Sequence, residues 1–169
     1  DTTNPDNVIL FYTGWSVNAA QEYNNGKGWN REHVWAKSRG DFGTSQGPGT
    51  DVNHIRPADI SVNSARNNRS FDTCSVAYLD NGIATGCNTS SVRWVWQPRE
   101  AVRGDVARMI FYMATRYEGE NGEPDLHVVD YLPEKTDKSP VQAKLSILLK
   151  WNQSDPVDNF ERHRNDVVY

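Results

Sequence analysis

The chain has 169 residues, enough for one domain with a real core, and its six Trp, seven Tyr and five Phe exclude a disordered tail. No apolar run approaches the ~20 residues needed to span a bilayer, so no membrane partner is expected. A net charge of −4 excludes a uniformly basic surface, but the charges are uneven: residues 27–73 carry seven Lys or Arg against five acids, and residues 118–138 carry seven acids against two Lys. A basic face beside an acidic flap would suit a phosphate substrate; an ordinary solvated surface would read the same way.

The opening DTTNPDNV is polar and loop-like, LFYTGWSV is apolar enough to pack on a core, and residues 21–28 are turn-rich. From Trp29 to Asn68 come a short extended run holding Glu32 and His33, a Gly-rich loop, and a second extended run, DVNHIRPA. A helix then follows Pro57 and carries Asn63, Arg66 and Asn67. SVAYLDNGIATGCNTS reads as a hairpin about Asp80-Asn81-Gly82, because Asn-Gly accepts the positive φ of tight turns. SVRWVWQP alternates like a strand, which favours the core over base stacking for both Trp94 and Trp96. Val106, Met109, Ile110, Met113 and Tyr117 recur at helical spacing and predict a central helix stopped by Gly119.

Residues 118–138 read as a loop. Ser139-Pro140 predicts a helix with Val141, Leu145, Leu148 and Leu149 on its apolar face. A last helix is expected from Pro156, capped by Ser154 or Asp155. The sum is an α+β mixed fold of short strands and about four helices, one domain over residues 1–169. Cys74 and Cys87 bracket the hairpin turn; they suit a disulfide closing a small loop in an exported protein, or two free buried thiols.

Within the central stretch, phosphodiester hydrolysis needs a base to activate water and positive charge to stabilise the phosphoryl oxygens. His33 titrates near ~6.5 when unperturbed and suits the base. Glu32 and Asn63 offer the oxygen ligands that Mg²⁺ prefers, and Mg²⁺ needs few from the protein. Neighbours on a strand face opposite ways, so Glu32 and His33 can share a site only where the strand ends or bends. Taken singly, each residue also has a bland role: a structural histidine, a surface pair between Glu32 and Arg31, a turn braced by Arg56.

N-R-E-H-V-W, then G-P-G-T-D, then H-I-R-P-A-D-I-S-V-N-S-A-R-N-N resembles the signature of the bacterial endonuclease I family, secreted or periplasmic nucleases of the ββα-metal (His-Me finger) class. The likeness continues in GDVARMIFYMATRYEG and LLKWNQSDPVDNFERHRNDVVY. It implies a ββα-metal core over about residues 29–70, with His33 as general base and Glu32 and Asn63 holding one Mg²⁺ (or Ca²⁺ or Mn²⁺). It further implies Arg56 and Arg66 as catalytic phosphate contacts, with Arg31, Asn67 and Arg108 as further substrate contacts. The expected enzyme is a monomeric, secreted or periplasmic endonuclease with little sequence specificity. It would act on single- or double-stranded DNA, with RNA as a further substrate, and leave 5′ phosphates. The competing expectation is a catalytically inactive nucleic-acid-binding domain.

Overall fold

A computed structural model describes residues 1–169. The first two strands, β1 (Asn7–Ile9) and β2 (Ser16–Asn18), pair antiparallel and deliver Leu10, Phe11 and Tyr12 into the core between them. The strands β3 (Trp29–His33) and β4 (Ile55–Asp59) pair antiparallel, with Glu32 opposite Arg56 and His33 opposite Ile55. Helix α1 (Ile60–Arg66) follows β4 without a loop. The Asp59 side chain accepts from the backbone amides of Ser61 and Val62 and so caps it. Strand, loop, strand and helix together make the expected ββα unit.

A four-stranded sheet follows, in the order β5 (Ser70–Phe71), β8 (Val95–Gln97), β7 (Ile83–Ser90), β6 (Val76–Asp80). The turn joining β6 to β7 has Asn81 at φ 49° and Gly82 at φ 83°, the left-handed pair expected of that dipeptide. Helix α2 (Arg103–Arg116) buries Val106, Met109, Ile110 and Met113, and Tyr117 follows at its C-cap. Strand β9 (His127–Val129) lies within the acidic segment and pairs parallel with β10 (Val141–Ala143). Helices α3 (Leu145–Ser154) and α4 (Asn159–Val168) close the chain, which is α+β as expected.

Three local expectations are corrected. Ser139-Pro140 opens β10 rather than a helix: Ser139 is held in a turn by the Asp137 carboxylate, the backbone stays extended, and α3 starts at Leu145. The last helix is capped by Asp158, whose carboxylate accepts from the Glu161 amide while Glu161 reaches back to the Asp158 amide. Asp155 instead accepts from the Gly104 amide at the start of α2. Trp94 is not a core residue: it precedes β8 at φ 53°, half-buried, whereas Trp96 is fully buried.

No disulfide forms; both cysteines are free. Cys87 lies one residue before Asn88, the partner of Ala77, and Cys74 lies three residues before Ala77. In antiparallel strands those offsets add, separating the two by roughly 13 Å at ~3.3 Å per residue. A disulfide tolerates at most about 7 Å between Cα atoms. The buried Cys87 thiol donates instead to the Tyr12 carbonyl, 3.1 Å away.

Candidate active site

β3 ends at His33, and α1 packs against it. At that end lies a pocket of about 270 Å³ lined by Arg31, Glu32, His33, Lys37, Asn63 and Arg66, with Asn67 and Asn68 at the far end of α1. Alternation sends Glu32 inward and Arg31 and His33 outward. The strand's end brings both faces to one cavity, which meets the demand raised by the sequence.

His33 is fixed by the loop that follows it. Its Nε2 lies 2.9 Å from the Gly49 carbonyl oxygen, and a carbonyl can only accept, so Nε2 carries the proton and Nδ1 keeps its lone pair. Burial pushes the His33 pKa below its ordinary value; the cations Lys37 and Arg66 push the same way, against the Gly49 bond. His54 repeats the arrangement one residue earlier: its Nε2 donates to the Pro48 carbonyl at 2.7 Å, and its Nδ1 accepts from the Trp35 amide. Two imidazoles, 5.5 Å apart, thus clasp consecutive carbonyls of the Gly-rich loop. Gly49 permits this because a Cβ there would lie 1.8 Å from the Gly43 carbonyl oxygen.

Glu32 is 3 % exposed, with Oε1 accepting from the Tyr12 hydroxyl at 2.6 Å and paired to Arg66 Nη1 at 3.2 Å. Burial raises its pKa, opposed by the Arg66 charge and the Tyr12 bond. Asn63 donates its amide nitrogen to Asn30 Oδ1 at 2.8 Å, which leaves its own amide oxygen uncommitted. No cluster of three His, Cys, Asp or Glu is arranged to hold a metal. One carboxylate and one uncommitted amide oxygen on the same pocket nonetheless fit a hard cation that keeps most of its waters.

The arginines divide. Arg31 is exposed at the rim, paired with Glu22 at 2.9 Å. Arg66 lines the pocket but is 1 % exposed: its Nη1 and Nη2 donate to the His33, Val34 and Asn67 carbonyls, and its guanidinium lies over Phe71. With both terminal nitrogens bonded within the fold and its Nε buried without a partner, it positions Glu32 and the end of β3 rather than reaching out to phosphate.

Arg56 is not brought to the pocket. It faces inward beside Phe11, donates to the Val52 and Ile55 carbonyls, and has its pKa lowered to about 9 by burial. Arg108 is also elsewhere, on α2, where it binds Glu161, Asp105 and the Asp155 carbonyl. Sequence reasoning missed Lys37, Ser38 and Asn68 on the pocket wall, and Tyr12 and His54 behind it. Lys37, Ser38 and Asn68 adjoin the expected site residues along the chain and His54 lies in the same motif, whereas Tyr12 comes from a distant segment.

The family model for endonuclease I matches residues 2–169. Two curated relatives are both named extracellular ribonuclease: one from Bacillus subtilis (strain 168) is 52 % identical over 169 residues, and one from Bacillus amyloliquefaciens is 50 % identical over 169 residues. Each match covers 100 % of this chain and 56 % of the relative, so the chain spans about half the length of the curated relatives it matches.

Proposed function

The chain belongs to the endonuclease I family, and from that premise we propose that it is a secreted, metal-dependent endonuclease that hydrolyses phosphodiester bonds with His33 as general base. The observation that carries this reading is the His33–Gly49 bond, which leaves Nδ1 unprotonated on a residue lining a pocket rich in cations and amides. Water beside Nδ1 loses its proton to the imidazole and attacks phosphorus; the P–O3′ bond breaks, the 3′ oxygen takes a proton from solvent, and the phosphate stays on the 5′ side. The lowered pKa keeps His33 unprotonated at neutral pH. Arg31 and Lys37 at the rim meet the phosphate oxygens, and Asn67 faces the flanking sugar or phosphate.

Glu32 and Asn63 would hold one divalent cation, Mg²⁺ with Ca²⁺ or Mn²⁺ as substitutes. When bound, it supplies positive charge against the phosphoryl oxygens. Arg66 holds Glu32 in place for that role. Contacts of this kind address the backbone rather than base edges, so little sequence specificity follows.

The test is cleavage of supercoiled plasmid by the parent and by His33→Ala, each with Mg²⁺ and with excess EDTA. Cleavage by the parent alone, lost with EDTA, is the expected result; His33→Ala should fall by roughly 10²–10⁴-fold. Undiminished cleavage by His33→Ala overturns the base assignment. DNA binding without nicking by the parent favours a non-catalytic binding domain. The names of both relatives favour RNA as a second substrate, and a parallel digestion of single-stranded RNA decides it.

A further inference from the structure

Most arginines near the site are spent within the fold, on carbonyls or carboxylates. Arg69 spends one nitrogen on the Ala65 carbonyl, but neither it nor Lys135 is paired with a carboxylate. Both lie against the ring of Trp94, the Arg69 guanidinium carbon 3.8 Å and the Lys135 Nζ 4.3 Å from its centroid. Each cation gains only modestly from such a ring, and the two repel one another. Phosphate groups beside each cation would relieve that repulsion.

The arrangement is built rather than incidental. Trp94 sits at φ 53°, a conformation that is strained for a bulky side chain and that concentrates at functional sites. Its ring is pinned by Nε1 donating to Asn68 Oδ1 at 2.7 Å, and Asn68 Nδ2 donates to the Lys135 carbonyl at 3.0 Å. Behind them the buried Arg39 donates to the Asn68, Glu134 and Asp137 carbonyls and fastens the Lys135 segment to the end of α1. Asn68 itself lines the pocket of His33. The cation pair is thus tied through Asn68 to the wall of that pocket.

We propose that Arg69 and Lys135, set against the Trp94 ring, form a second phosphate-binding subsite, for the stretch of nucleic-acid backbone next to the scissile phosphate. This rests on the nuclease reading and extends it from one phosphate to a run of backbone. The Trp94 ring is flanked by cations, so it orients them and does not stack on a base. The subsite adds affinity without sequence preference, because the groups it meets are phosphates.

The test is the salt dependence of binding to a short fluorescein-labelled DNA duplex, read by anisotropy in the His33→Ala background with excess EDTA. Each lost phosphate contact lowers the slope of log K against log salt by about 0.9 for duplex DNA. Lys135→Gln, at an exposed position, and Arg69→Gln should each show that loss, while Lys135→Arg keeps the slope. Lys150→Gln removes the same charge from α3, away from the pocket, and should leave the slope at the parental value. Equal slopes for Lys135→Gln and its parent overturn the subsite, as does an equal loss in Lys150→Gln. A parent that neither binds nor cleaves DNA or RNA overturns the nuclease reading itself, a result separate from an unchanged slope in an active enzyme.

Discussion

At the scale of single residues, the site is governed by what each polar group has already given away. The His33 ring has given Nε2 to Gly49, so only Nδ1 keeps a free lone pair. Gly49→Ala tests that dependence without touching the ring. Its Cβ cannot sit 1.8 Å from the Gly43 oxygen, so the carbonyl that orients His33 must move. Displacements of about 1 Å in a catalytic group cost up to about 100-fold, and kcat should fall on that scale while the fold persists by circular dichroism. Unaltered kcat would separate the loop from catalysis.

Arg66 offers the complementary case. Arg66→Ala would strand the buried Glu32 carboxylate and leave the His33 and Val34 carbonyls without their donor. Removing one partner of a buried pair costs about 3–5 kcal/mol, and urea unfolding should show a loss of that size. A loss under about 1 kcal/mol would mean that the pair contributes little.

At the scale of elements, α4 is held to the body by few apolar contacts. None of its residues is buried, and Phe160 and Val167 are exposed. Polar links take their place: Arg108 on α2 reaches Glu161 with two nitrogens and the Asp155 carbonyl with a third contact, and Arg164 donates to the Val52 and Ile55 carbonyls behind the site. Without Arg108, Asp105 and Glu161 face each other unneutralised; burial and Glu161 already push the Asp105 pKa up to about 7. Arg108→Ala should therefore cost about 2 kcal/mol and increase hydrogen exchange in α4 more than in α1. Equal exchange across both helices would dismiss the fastening role. A role for Arg108 in substrate contact would instead show as weaker nucleic-acid binding at unchanged α4 protection.

At the scale of the whole molecule, the buried histidine clasp links stability to pH. Burial lowers the His54 pKa to about 4, against ~6.5 in an unfolded chain. Between those values the unfolded chain holds a proton that the folded one refuses, so stability falls as pH drops from about 6.5 to about 4 and recovers as it rises. The difference corresponds to about 3 kcal/mol. Chemical denaturation of the parent and His54→Gln across that window should show a shallower pH dependence in the variant. Parallel curves would remove His54 as the cause. At neutral pH the variant should be less stable, because the Pro48 carbonyl and the Trp35 amide both lose the ring nitrogens they now pair with.

The sequence by itself determined what neighbouring residues encode. It showed the β6–β7 turn in its Asn-Gly pair, the buried face of α2 in its spacing, the ββα order of Trp29 to Asn68, and through those motifs the family. Tertiary structure decided which side chains face the pocket. Arg56, Arg66 and Arg108 are equally good phosphate ligands on paper, yet each is buried or held by carbonyls and carboxylates of the fold, and only Arg66 borders the site. It likewise separated Cys74 from Cys87 by strand register and placed Trp94 between two cations. Turns and helix faces depend on local conformational preference, whereas a guanidinium goes wherever the folded chain leaves acceptors to satisfy.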